Sequence, residues 1–355
     1  TNNTVAIPTS TVNTKILTIS GLSASNKVYN ATTAATLTGT AALVGVETGD
    51  IANVTLGGTA TASFATATVG TGITVTVSGY TISGTAAANY SLTQPSGLTA
   101  DITAKSLTIS GLTADNKVYN ATTAATLTGT AALVGVEAAD VANVTLGGAA
   151  TASFATPGVG TGIAVTVSGY SISGTAAANY SLTQPTGLSA NITAKGLTIS
   201  GLTADNKVYN GLTPTTLSGT ASLVGVEAGD VADVTLGGTA VATFATATVG
   251  ASKPVTVTGY TLSGLASGNY TVAQPTGFTA DITPAPLTIT ADSVRKFRGE
   301  VIASPATGVT TFTAVGLQNS ETIGSVTMTY GTGAAAPDPL GLNLASVVPS
   351  AAVGG

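Results

Sequence analysis

Histidine and cysteine are both absent from this chain, which removes most catalytic chemistry before spacing is considered. Without imidazole there is no Ser-His-Asp or Cys-His nucleophile system, no imidazole metal ligand and no ordinary general base. Without a thiol there is no disulfide, thiolate metal site or redox couple. Carboxylates remain. Glu47 and Asp50 recur as Glu137/Asp140 and Glu227/Asp230. Such a pair could ligate a cation or serve as a glycosidase-like acid/base couple. The plainer reading is a polar turn between two strands, with Asp50 capping local backbone. The surrounding string lacks the dense alternating Asp/Asn ligands of a calcium loop.

Three further strings invite chemistry and also have plainer readings. Gly70-Thr71-Gly72 has the look of a truncated phosphate loop, but it lacks the third Gly, the Lys and the following helix. It reads as a hairpin turn. Lys27 with Asn30 or Asn53 and Glu47 supplies the residue types of an intramolecular isopeptide bond; a solvated Lys27 and an Asn30 in a turn is the simpler expectation. Asn89-Tyr90, Asn179-Tyr180 and Asn269-Tyr270 could line a sugar-binding face. More commonly such a Tyr anchors a strand to the core through its hydroxyl on a neighbouring carbonyl. The chain is expected to be no enzyme and to carry no cofactor or metal.

The elements that hold these residues repeat. Ninety residues separate Leu17, Leu107, Leu197 and Leu287 in turn, and the same interval relates Tyr29, Tyr119 and Tyr209, and Phe64, Phe154 and Phe244. A fixed period decides an architecture. This one is long enough for a small domain rather than a solenoid turn. The boundaries follow: an extension at 1–14, repeats at 15–104, 105–194 and 195–284, and a diverged unit at 285–355.

Composition narrows the class. Charged residues are 7% of the chain against a usual level near 25%. Hydrophobic content is 43%, the opposite of a disordered chain. No apolar run reaches the ~18–20 residues of a spanning helix, so no membrane span is expected. The net charge of −5 and the thin scatter of Lys and Arg argue against nucleic-acid partners. Thr1-Asn2-Asn3-Thr4 has no signal-peptide pattern, so a leader was cleaved or the chain is part of a longer one.

Within a repeat, Leu17-Thr18-Ile19-Ser20 and Ile73-Thr74-Val75-Thr76-Val77-Ser78 alternate apolar and polar as half-buried strands do. Gly79 marks a bulge or bend in the second. Shorter strands are expected at 27–29, 36–38, 54–56, 61–64, 90–92 and 98–102, while 41–46 fits a helical turn or a strand. Turn signals fall at Gly49-Asp50, Gly57-Gly58, Gly70-Thr71-Gly72 and Gln94-Pro95-Ser96-Gly97. The expected fold is all-β, a tandem array of small antiparallel β-sandwich-like modules, Ig-like or related. Residues 98–109 run from one module into the next without Gly or Pro. Flexible linkers are Gly/Ser-rich, so a stiff, elongated rod is expected. Phe64, Phe154 and Phe244 are expected in the cores.

Several strings also match a known pattern. Lys27-Val28-Tyr29-Asn30-Ala31-Thr32-Thr33, Gly45-Val46-Glu47-Thr48-Gly49-Asp50, Val69-Gly70-Thr71-Gly72, Val75-Thr76-Val77-Ser78-Gly79 and Gly84-Thr85-Ala86-Ala87-Ala88-Asn89-Tyr90-Ser91-Leu92 together resemble the YDG domain of bacterial filamentous-haemagglutinin-like exoproteins and large adhesins. The resemblance covers about residues 15–284. The family's Tyr-Asp-Gly reads Tyr29-Asn30-Ala31, Tyr119-Asn120-Ala121 and Tyr209-Asn210-Gly211. If that Gly needs positive φ, Ala31 must do without it and the local turn differs. Residues 285–355 resemble the related MBG domain, through Leu287-Thr288-Ile289-Thr290-Ala291-Asp292 with Lys296 and Gly299, and Gly316-Leu317-Gln318-Asn319 to Met328.

The resemblance implies secreted or surface-displayed β-modules of a fibrous exoprotein, without enzymatic activity and without a named ligand. The expected function is structural: an extracellular bacterial repeat protein, serving as adhesin stalk or as surface or biofilm filament subunit. The alternative is an adhesin whose repeats bind glycans or a host surface. Partners are then other copies in a head-to-tail filament, neighbouring modules of a longer chain, or cell-surface glycans. The fourth unit lacks the Asn-Tyr ending and reads as incomplete at its C-terminus. Its missing strand comes in cis from a longer chain, or from Val5 and Ile7 of another copy by strand addition.

Overall fold

The computed structural model describes residues 13–292, 312–330 and 347–354; the Val5–Ile7 segment lies outside them. By contacts the chain forms two units, Thr1–Lys117 with Thr122–Ile192, and Val118–Ala121 with Thr193–Gly355. The described residues are strands joined by turns and short 3-10 segments. No helix among them is long and apolar enough to cross a membrane.

The first repeat contains strands β1 (Lys15–Ala24), β2 (Lys27–Val28), β3 (Leu37–Val44), β4 (Thr55–Phe64), β5 (Gly70–Ser83), β6 (Tyr90–Leu92) and β7 (Leu98–Thr103). The chain crosses between two sheets. One has three strands in the order β3-β1-β6, the other four in the order β2-β7-β5-β4. Repeats 2 and 3 add a two-residue strand, Ala124–Ala125 or Pro214–Thr215, to the edge of the larger sheet. In repeat 1 a single bridge, Ala34 to Ser63, stands at that place.

The sheets are mixed rather than wholly antiparallel. β1 runs parallel to β6 from Lys15 opposite Tyr90 to Leu17 opposite Leu92. β2 runs parallel to the end of β7, Lys27 opposite Ile102 and Val28 opposite Thr103. Parallel neighbours need long crossovers, and here each crossover passes through the other sheet.

Two glycine strings expected as turns lie inside strands. Gly57-Gly58 belongs to β4, whose register against β5 slips between Gly58 and Thr61. Gly70-Thr71-Gly72 opens β5, with a second slip between Gly70 and Ile73 against β7. Both are bulges, where an extra residue bends and twists the strand. Gly79 (φ 94°) lies opposite the first, and any Cβ there would collide with the Thr59 carbonyl. The 41–46 stretch is strand up to Val44.

The alternation of β5 sets the core. Val75 and Val77 are buried while Thr74, Thr76 and Ser78 are exposed. Phe64, Phe154 and Phe244 are only 2%, 2% and 3% exposed. In repeat 1, Leu17, Val54, Ala86 and Tyr90 form a core against the three-stranded sheet. The larger sheet's core, Tyr29, Phe64, Val75, Val77, Ala100 and Ile102, runs without a break into Leu107, Val144, Ala176 and Tyr180 of repeat 2. In the fourth unit, Thr288–Ala291 pairs with Phe312–Val315 and Ile323–Tyr330 with Val347–Gly354, both antiparallel.

Candidate functional site

Residue 104 alone separates β7 from strand β8 (Lys105–Ala114) of the next repeat. Three elements converge on that crossing. β2 lies along the end of β7, so Tyr29 follows directly, its N–H donating to the Thr103 carbonyl at 2.8 Å. Tyr180 pairs with Lys105 across the parallel edge of β8. The 3-10 turn Ala138–Asp140, which follows the strand Leu127–Val134 paired with β8, supplies Glu137 and Asp140.

The side chains meet at one carboxylate. Tyr29 and Tyr180 both donate their hydroxyls to Asp140 Oδ2, at 2.8 and 2.7 Å. Tyr180 Oη in turn accepts the Glu137 N–H at 3.0 Å. The two rings pack edge to face with centroids 5.3 Å apart, the arrangement their quadrupoles favour. Glu137 pairs with Lys105. The Val69 N–H of repeat 1 donates to Asn179 Oδ1 of repeat 2 at 3.0 Å. Asp140 and Asn179 are each only 7% exposed, the two buried polar residues among those described.

The arrangement recurs within the second unit. Tyr119 and Tyr270 donate to Asp230 Oδ2 at 2.7 and 2.6 Å, with rings again 5.3 Å apart. Tyr209 donates to Glu321. Glu321 stands where Asp230 stands in repeat 3: the Glu321 N–H donates to the Gln318 carbonyl as the Asp230 N–H does to that of Glu227. At Asp50, among the described residues, the only tyrosine that donates is Tyr90 of its own repeat, at 2.8 Å. There Asp50 is half-buried and Asn89 exposed.

Burial, reinforced by the hydrogen bond to Asp140, pushes the Tyr29 and Tyr180 phenols up to about 12. Burial and Asp230 do the same for Tyr119 and Tyr270, again to about 12. The phenols therefore stay protonated and act as donors across the ordinary pH range.

The loop carrying the docking tyrosine is built around a lysine. Lys27 Nζ donates to the carbonyls of Thr32 and Ala34 at 2.5 and 3.0 Å and to Asn30 Oδ1 at 2.9 Å. It sits 5.2 Å from the Phe64 ring centroid, a cation–π contact. Burial lowers its pKa. Asn30 Oδ1 also accepts the Thr32 N–H at 3.2 Å, an Asx turn. Lys27 is thus the loop's internal clamp rather than a solvated side chain. Glu47, the carboxylate considered with it for an isopeptide bond, pairs with Lys15 instead.

The six carboxylates singled out by the sequence divide by role. Glu47, Glu137 and Glu227 pair with Lys15, Lys105 and Lys195. Asp50, Asp140 and Asp230 take tyrosine hydroxyls. The Glu side chains, at the N-cap positions of these turns, make no cap hydrogen bond. No group of three or more acidic, His or Cys residues comes together among the described residues. Tyr90, Tyr180 and Tyr270 do anchor a strand, but onto a carboxylate rather than a carbonyl. Tyr29, Tyr119 and Tyr209 were visible as a period without a role, because 111 residues separate Tyr29 from Asp140 and no local spacing announces that contact. Gly72, once a phosphate-loop candidate, donates its N–H to Asp101 Oδ1 at 2.8 Å within the bulge.

Fold and junction define a class: a tandem-repeat, all-β protein whose repeats interlock through a tyrosine and a carboxylate. The chain belongs to the YDG domain family, which matches residues 13–97, 103–187 and 193–277. Neither a curated protein nor a solved structure matches it.

Proposed function

We propose that this chain is an extracellular structural repeat protein of a bacterium, an adhesin stalk or a surface filament subunit, with an MBG-type module as its fourth unit. The reading rests on the resemblance to exoprotein repeats and on the junction. A single residue joins β7 to β8, the core runs across the crossing, and two tyrosines close over one buried carboxylate. Such a joint resists bending, and its residues are spent on coupling rather than on a ligand. The chemistry suits a spacer that holds something else away from a surface.

An elongated array is the corresponding shape. Modules of ~35–45 Å each, for strands of ordinary rise and length, make three repeats span about 100 Å. Small-angle scattering of the whole chain should then give a radius of gyration of roughly 30 Å or more, against about 20 Å for one compact body of this length. A value near the compact figure overturns the stalk reading.

A glycan-binding adhesin is the second reading. A groove in repeat 3, lined by Leu202, Thr216, Leu217, Thr220, Ala240 and Tyr260, offers hydroxyls and one aromatic ring, as sugar sites do. Saturable binding of the chain on a glycan array, abolished by Tyr260→Ala, would favour it.

A further inference from the structure

The residue after each Tyr-Asn differs along the chain: Ala31, Ala121, then Gly211. All three hold positive φ, at 58°, 58° and 73°. Since alanine is accepted at this backbone twice, the loop's conformation alone does not demand glycine at 211. What differs is the neighbour. A Cβ on Gly211 would be driven into Asn319 Cβ and would lie 3.0 Å from Asn319 Cγ, closer than side chains pack. Asn319 belongs to the Gly316–Glu321 loop, which supplies the carboxylate for Tyr209. In repeat 1, by contrast, Ala31 has room to pack against the shared core.

The fourth unit differs from a YDG repeat at matching places. Glu321 replaces Asp230, extending the carboxylate by one methylene. Gln318 replaces Glu227, and Ala285 replaces its partner Lys195, so the ion pair is gone as a whole. Gln318 Nε2 donates instead to the Gly316 carbonyl at 3.1 Å. Asn319 itself holds φ 46°, and its side chain lies against Gly211 of the tyrosine loop.

We infer that the residue following Tyr-Asn selects what docks onto a repeat: alanine admits another YDG repeat, whereas glycine is required for the Asn319-bearing loop of the fourth unit. This rests on the reading of the tyrosine–carboxylate contact as the coupling element. Gly211 is then a specificity residue at a joint between unlike modules, and Asn319 is its steric partner.

Hydrogen exchange on the full chain tests it. Gly211→Ala should speed exchange of peptides spanning 205–215 and 312–323 on the order of tenfold or more, as a local opening would, while peptides around Asp140 and Asp230 are unchanged. Asn319→Gly removes the colliding Cβ at a residue already in positive φ, so the double variant should recover wild-type exchange. Ala121→Gly should leave its own joint intact. Unchanged exchange in Gly211→Ala, failure of Asn319→Gly to restore it, or unfolding of repeat 3 itself would each overturn the selection rule. Tyr209→Phe is read separately. If it leaves the 312–323 peptide unchanged, the coupling reading fails, whatever Gly211 does.

Discussion

Ala31 and Ala121 sit in the left-handed region, where a Cβ costs an L-residue roughly 1–2 kcal/mol. The sequence suggested that a loop with Ala in place of Gly would turn differently. It keeps the turn and bears the strain, because Lys27 and Asn30 fix the loop from within. Ala31→Gly and Ala121→Gly should each stabilise by about 0.5–1 kcal/mol once the greater freedom of the unfolded chain is subtracted. Denaturant midpoints at constant m-value would check this, and no gain would mean that the strain is absent. The tyrosines give a second prediction at this scale. With Tyr29, Tyr119, Tyr180 and Tyr270 raised to about 12, unfolded phenols ionise near 10 while folded ones keep their protons. Between those values the unfolded state binds fewer protons, so stability falls as pH rises. The midpoint difference between the chain and its Tyr29→Phe variant, which isolates the phenol from the lysines that titrate nearby, should be level below about pH 10 and fall towards pH 12. A flat difference would mean that this hydroxyl does not hold its proton in place.

At the scale of the element, legibility followed the number of partners a residue needs. Ile73 to Ser78 alternates in the sequence and alternates in the fold, because one face of one strand decides it. Gly57-Gly58 and Gly70-Thr71-Gly72 were misread, because glycine permits a turn and a bulge alike and only the register against β5 and β7 separates them. The parallel edges β1–β6 and β2–β7 left no local mark. Phe154 was legible, as the largest apolar side chain on an Ala/Thr strand, and it is buried beneath Lys117, 5.3 Å from the ring centroid. Phe154→Ala should cost about 3–5 kcal/mol, seen in thermal or denaturant unfolding. The bulge offers a sharper test. Gly169→Ala adds only a methyl, yet at φ 91° it meets the Ala149 carbonyl, so it should cost more than Gly147→Ala, which meets nothing.

For the whole molecule, what matters is whether repeats unfold as beads or as a chain of coupled neighbours. In repeat arrays stability is a sum of intrinsic and interface terms, and here the interface has a core and a polar centre. The two-repeat unit holds the same acid in two settings. Asp140 accepts two hydroxyls, one from each repeat, and is buried. Asp50 accepts the hydroxyl of Tyr90 and is half-buried. Hydrogen bonds to a charged group contribute about 1.5–3 kcal/mol each, and a buried hydroxyl left without its acceptor costs a further ~1–3 kcal/mol. Asp140→Ala should therefore destabilise by roughly 3 kcal/mol or more, while Asp50→Ala should cost about half as much. The forms should also differ. With Asp140 in place, repeats 1 and 2 should melt in one transition, because Tyr29 and the shared core tie them together. Asp140→Ala should split that transition in two, and Asp50→Ala should leave it single. Calorimetry of the full chain and its two variants decides the matter. Equal costs, or a wild-type transition already split, would mean that the repeats fold independently and that the carboxylate serves its own turn rather than the joint.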